Sequence, residues 1–121
     1  MTPTNIALHQ KSRVLELTWP DGVVQNLPCE YLRVYSPSAE VRGHGPGQEV
    51  LQLGKENVNI KEIEPIGHYA VKLGFDDNHD SGLYDWGLLR ELGDNYEEYW
   101  ADYLARCEEA KYVRKEPGQI I

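Results

Sequence analysis

The sequence predicts an α+β fold: a small, mainly antiparallel β-sheet with C-terminal helices packed against it. Three observations carry that prediction. Apolar and polar residues alternate with a period of two at 4–9, 12–19, 57–63 and 68–75. A Pro20-Asp21-Gly22 turn joins the second of these stretches to a further short strand. After position 85 the apolar spacing becomes three and four residues, the repeat of an amphipathic helix.

Taken in order, residues 4–9 and 12–19 read as half-buried strands, with Val14, Leu15, Leu17 and Trp19 supplying the apolar face. Residues 23–27 return as the second arm of the hairpin. Residues 28–33 read as a short helix with proline in its first turn, where the missing N–H is no loss. Residues 36–48, SPSAEVRGHGPGQ, carry the glycine, proline and serine of a long loop. Two strands follow at 57–63 and 68–75, separated by Glu64-Pro65-Ile66-Gly67. Asp76-Asp77-Asn78-His79-Asp80-Ser81-Gly82 makes a polar turn before a short strand at Leu83 and Tyr84. Asp85 or its predecessor caps a helix over 86–92, which Gly93 ends from the C′ position. Asp94-Asn95-Tyr96-Glu97 resembles a capping box opening a helix that runs to about Ala110. Tyr96, Tyr99, Trp100, Tyr103, Leu104 and Cys107 share one face of it, which is expected to pack on the sheet. Residues 111–121 read as a tail. The whole chain, 1–121, reads as one domain with its core at about 10–95.

Acidic residues outnumber basic ones, 20 to 12, for a formal charge of −8. Such a field repels phosphate backbones and anionic lipid, so neither a nucleic acid nor a membrane is an expected partner. The compact basic cluster, Lys111, Arg114 and Lys115, reads as cations at a helix C-terminus. Cys29 and Cys107 form no C-x-x-C pair and read as buried thiols. No apolar leader or 18-residue apolar run occurs, which makes the cytoplasm the expected location.

Motifs that would carry chemistry are sparse. The acidic turn at 76–82 is no EF-hand, because Ser81 stands where the sharp-turn glycine belongs and Gly87 where the bidentate glutamate belongs. Gly43-His44-Gly45-Pro46-Gly47 has neither the dinucleotide-binding spacing nor a phosphate-loop Lys-Ser/Thr ending. No G-x-S-x-G elbow is present, and His9, His44, His68 and His79 are scattered.

Several segments together resemble the gamma-butyrobetaine hydroxylase-like N-terminal domain family, in its short free-standing bacterial form. They are LELTWPDG from Leu15, LPCEYLR from Leu27, SPSAEV from Ser36, and IGHYAVKLGFDDNHDSGLYDWGLLR from Ile66. In the hydroxylases this domain precedes an iron- and 2-oxoglutarate-dependent catalytic domain, for which 121 residues leave no room. The resemblance further implies a zinc site built from a C-P-C-x-x-C motif and a histidine in an acidic turn. Those positions fall on Ser36, Ser38, Val41 and His79, so only the histidine is kept, and no cofactor is expected. The same module resembles segments fused to P-loop ATPases that act as iron–sulfur carriers, which implies an accessory role toward a metalloprotein or iron–sulfur assembly. The expected function is therefore a non-enzymatic binding or adaptor module for a protein partner. Its expected surface joins Arg33, Ser36, Ser38, Arg42 and His44 to Asp76, Asp77 and His79. Two alternatives stand beside it: a zinc- or iron-binding protein using His79, His44 and turn carboxylates, and a small enzyme with a pocket lined by histidine and Cys29.

Overall fold

The structure, a computed structural model, describes residues 1–43, 45 and 47–115. Expectations for His44 and for the tail beyond residue 115 lie outside the described residues. The described residues form two three-stranded antiparallel sheets, short helices between them and two helices after them.

The first sheet is a meander of β1 (Asn5–His9), β2 (Val14–Thr18) and β3 (Val24–Pro28). Leu15 pairs with Leu27 across β2 and β3, and Leu15, Leu17 and Leu27 are buried on one face. At the hairpin, Gly22 adopts φ +87°, open to glycine at no steric cost, and Asp21 accepts the Val23 N–H at 3.2 Å. α1 (Cys29–Val34) follows directly, with Pro28 as its N-cap, and α2 (Ala39–Arg42) forms one short turn inside the expected loop.

The second sheet contains β4 (Ile60–Ile66), β5 (Ala70–Phe75) and β6 (Leu83–Asp85), in that spatial order. The sequence suggested one sheet; there are two. Between β3 and β4 lie α1, α2 and an irregular stretch. Where the sheets meet, side chains replace a backbone ladder: Gln10 donates to the Ile60 carbonyl, Asn59 to the Gln10 carbonyl and Arg13 to the Asn57 carbonyl. β4 also begins later than expected and runs through Pro65. An edge strand tolerates proline because its outward N–H has no partner to lose. Ile60, Val71, Leu73 and Phe75 nonetheless join Leu15, Leu17, Tyr31, Leu89 and Leu92 in one buried cluster.

α3 (Trp86–Asp94) is capped by Asp85, whose Oδ1 accepts the Leu88 N–H at 2.7 Å. Gly93 does not end it. A Cβ there would stand 2.2 Å from Gln25 Oε1, so this glycine serves close packing of α3 on β3. The capping box does not form either. Asp94 accepts from Gln25 and Arg90, and Asn95 donates to the Glu91 carbonyl, leaving no side-chain cap on α4 (Tyr96–Glu109). The α4 stripe packs on α1, on residues 51–52 and against the core cluster that holds Leu15, Leu17 and Leu27. Trp100 lies edge-on to Tyr31, Tyr99 stacks on Tyr35, and the Tyr103 hydroxyl donates to the Gln52 carbonyl at 2.6 Å. Leu104, expected inside, is 38% exposed. Among the described residues no helix is long and apolar enough to cross a membrane.

Candidate interaction site

Ser36 follows the C-cap of α1, and its N–H donates to the Arg33 carbonyl at 3.3 Å. Pro37 keeps the chain extended so that Ser38 arrives as the N-cap of α2, its Oγ accepting the Glu40 N–H. His79 sits in a tight turn after β5. Asn78 takes φ +67°, Asp77 accepts the His79 N–H, and the His79 carbonyl accepts the Phe75 N–H.

These two segments meet. The Ser36 Oγ lies 2.9 Å from His79 Nε2, and Ser38 Oγ lies 2.7 Å from Ser81 Oγ. Glu40 Oε2 closes the other side of the ring at 3.1 Å from Nδ1. Gly82 permits the approach, because a Cβ there would stand 2.6 Å from Ser36 Oγ. Beside this cluster Arg33, itself buried, donates to Asp77 at 2.9 Å and to Gln52 at 3.0 Å, while Lys55 reaches the same Asp77 oxygen at 2.8 Å. Asp76 faces elsewhere and accepts the Asn59 N–H at 3.0 Å. Arg42 is exposed at the end of α2. Sequence reasoning missed Glu40, Ser81, Gly82, Gln52 and Lys55. The capping pattern Ser38-x-Glu40 was the one local signal available.

Electrostatics follow from burial. Burial pushes the His79 pKa below its ordinary value, the Arg33 charge lowers it further, and Glu40 offsets this in part. The ring is therefore neutral at pH 7, with Nδ1–H donating to Glu40 and Nε2 accepting from the Ser36 hydroxyl. For Asp77, burial raises the pKa, but Lys55 and Arg33 outweigh it and hold the carboxyl below its ordinary value.

A serine, a histidine and a carboxylate hydrogen-bonded in series have the connectivity of a nucleophile with its base and orienter. Here the hydroxyl cannot act. Ser36 is 0% exposed and its Oγ also accepts the Ser38 N–H. Cys29 offers no replacement, since burial pushes its thiol up to about 11. Zinc chemistry fits no better. Ser36 and Ser38 present hydroxyls already engaged with protein partners, Val41 presents no donor, and both His79 nitrogens are in use. Among the described residues no group of three or more His, Cys, Asp or Glu is placed to hold a metal ion.

Next to this cluster a groove of about 320 Å³ opens between α1, α2, α3 and α4. Val34, Val41, Leu51 and Tyr99 give it apolar walls, and Arg42 and Arg106 with Glu49, Glu91 and Asp102 add charge of both signs. Val50, also on its wall, is 54% exposed.

The elements define a class: small α+β domains with two three-stranded antiparallel sheets followed by helices. The sequence profile of the family described as gamma-butyrobetaine hydroxylase-like, N-terminal matches residues 6–90, and the chain belongs to that family. Two NMR solution structures are similar to it. One is 51% identical with a TM-score of 0.80, covering 95% of this chain and 86% of its own. The other is 47% identical with a TM-score of 0.81, covering 99% and 94%. A crystal structure of a protein of unknown function in the DUF971 family, from Acidithiobacillus ferrooxidans, is 39% identical with a TM-score of 0.65, covering 76% of this chain and 92% of its own. No curated protein matches the chain.

Proposed function

We propose that this chain is a non-enzymatic adaptor whose α2 face and adjoining groove dock a protein partner. The carrying observation is the groove itself. Its apolar walls and exposed Val50 lie beside the exposed guanidinium of Arg42, on a loop held by hydrogen bonds. Interfaces combine this kind of apolar floor with arginine and aromatic anchors. The buried Ser36 hydroxyl and the raised Cys29 pKa argue against a covalent reaction at the same place. Resemblance to modules fused to iron–sulfur carriers makes a metalloprotein or its assembly machinery the class of partner to examine first.

In-cell cross-linking, immunoprecipitation and mass spectrometry test the reading. Partners captured by the wild-type chain are expected to be lost from both Arg42→Glu and Val50→Asp, and kept by Lys61→Glu on the exposed part of β4. An unchanged set of partners in the first two variants removes the docking face from consideration.

A further inference from the structure

Beyond α4 the chain turns at Lys111 (φ +58°), and residues 112–115 run back across the body. The sequence placed Arg114 and Lys115 as cations at a helix end; Arg114 instead reaches α1. Its Nε donates to Glu30 Oε2 at 2.8 Å and its Nη2 to Glu30 Oε1, a two-pronged pair. Arg114 Cζ stands 5.0 Å from the centre of the Trp100 ring. Tyr112 Oη and the Lys115 N–H both donate to Glu56 Oε2, at 2.6 and 3.0 Å.

The groups that receive this strap form a built site. Glu30 and Glu56 are 8% and 6% exposed, deep burial for carboxylates. Both line a cavity of about 520 Å³ together with Tyr96, Trp100, Lys11, Arg13 and Arg114 itself. Glu56 Oε1 is buried without a hydrogen-bond partner, so the strap leaves one oxygen of this carboxylate unused. Acid on one side and an indole face on the other suit a planar guanidinium better than an ammonium. Lys11 and Arg13 on the same wall disfavour a bare diffusible cation and favour an arginine flanked by acceptors, such as peptide carbonyls.

We propose that the Glu30 carboxylate and Trp100 face bordering this cavity are a recognition site for an arginine side chain of a partner polypeptide, and that Arg114 holds that site in cis. Val113, beside Arg114, is 82% exposed, so releasing the arginine uncovers little apolar surface at that point. The strap thus sets a threshold: an incoming arginine must displace Arg114. This site is separate from the groove at α2, and it stands or falls independently of the adaptor reading.

The probe is N-acetyl-arginine amide, titrated by calorimetry and Trp fluorescence into the full chain. Arg114→Ala is expected to bind it at least tenfold more tightly than wild type, because the internal competitor is gone. Adding Glu30→Gln is expected to reverse that gain, and the matching lysine amide is expected to bind more weakly. The proposal is overturned if a folded Arg114→Ala binds no more tightly than wild type, or if Glu30→Gln leaves its binding unchanged. Should Arg114→Ala not fold, millimolar probe must restore its circular dichroism spectrum; failure to do so also refutes the site.

Discussion

His79 commits both ring nitrogens to protein partners, but its burial and the nearby Arg33 charge set its pH behaviour. Its folded pKa lies below the ordinary value of about 6.5, so the unfolded chain takes up the proton first. Stability from the neutral ring is fully present above that value and drains away as pH falls from it through the folded pKa. Urea midpoints measured between pH 7 and 5 should therefore decline in the wild type and flatten in His79→Gln. Truncation is harsher: His79→Ala strands a buried Ser36 hydroxyl and should cost about 1–3 kcal/mol at pH 7. Cys29 gives an independent readout. Fully buried and pushed up to about 11, its thiol should resist iodoacetamide at pH 8 in the native chain and react once urea unfolds it, as peptide mass mapping would show. The positions of Ser36, Ser38 and His79 were legible through family resemblance. Glu40 and Lys55 were not, because their partners lie 39 and 22 residues away and only the tertiary fold brings them near.

Helix α3 shows what local sequence reading gets right and where it stops. Asp85 before an apolar-periodic run is an N-cap signal, and it caps. Gly93 after the run looked like a C′ residue, yet the helix runs one residue past it to Asp94, and the Gln25 side chain of β3 fills the space a Cβ would need. Local patterns cannot report that distance. The consequence is a reversed sign. Alanine for glycine in a helix interior normally gains up to about 1 kcal/mol, but Gly93→Ala must displace Gln25, which is held by Trp19 and Asp94. Overpacking of this kind costs about 1–3 kcal/mol, so thermal unfolding should show a net loss. On α4 the burial pattern ranks the stripe. Tyr103→Ala, at a fully buried ring, should cost about 3–5 kcal/mol, and the half-buried Trp100→Ala somewhat less. Leu104→Ala, at an exposed position, should stay within about 0.5 kcal/mol of wild type in urea titrations.

Across the whole molecule, the segment after α1 is fastened to the turn after β5, so the first sheet and α1 are tied to the second sheet. Serine hydroxyls and the Arg33–Asp77 pair make this fastening, at positions where the family resemblance implies thiolates and zinc. Because Arg33 is buried and Asp77 is shared with Lys55, the pair is better placed than an exposed ion pair, whose worth is about 0–1 kcal/mol. The geometry can be compared with the zinc arrangement that the resemblance implies. Tetrahedral zinc with Zn–S near 2.3 Å and Zn–N near 2.0–2.1 Å needs sulfur and nitrogen about 3.6 Å apart. Ser36 Oγ and His79 Nε2 stand at 2.9 Å, so a thiol at 36 need separate from the ring by only a fraction of an ångström. Ser38 is directed toward the same turn, and Val41 is buried on the short helix that Ser38 caps. The triple substitution Ser36→Cys, Ser38→Cys, Val41→Cys is thus expected to bind one zinc per chain, read by elemental analysis, and to lose thermal stability when a chelator is added. The wild-type chain, expressed without a histidine tag, should hold no stoichiometric zinc and ignore the chelator. Zinc in the wild type that is lost on His79→Ala would overturn the account of the hydrogen-bonded fastening, and a folded triple variant unable to take up zinc would show that these three positions are not where the thiolates belong.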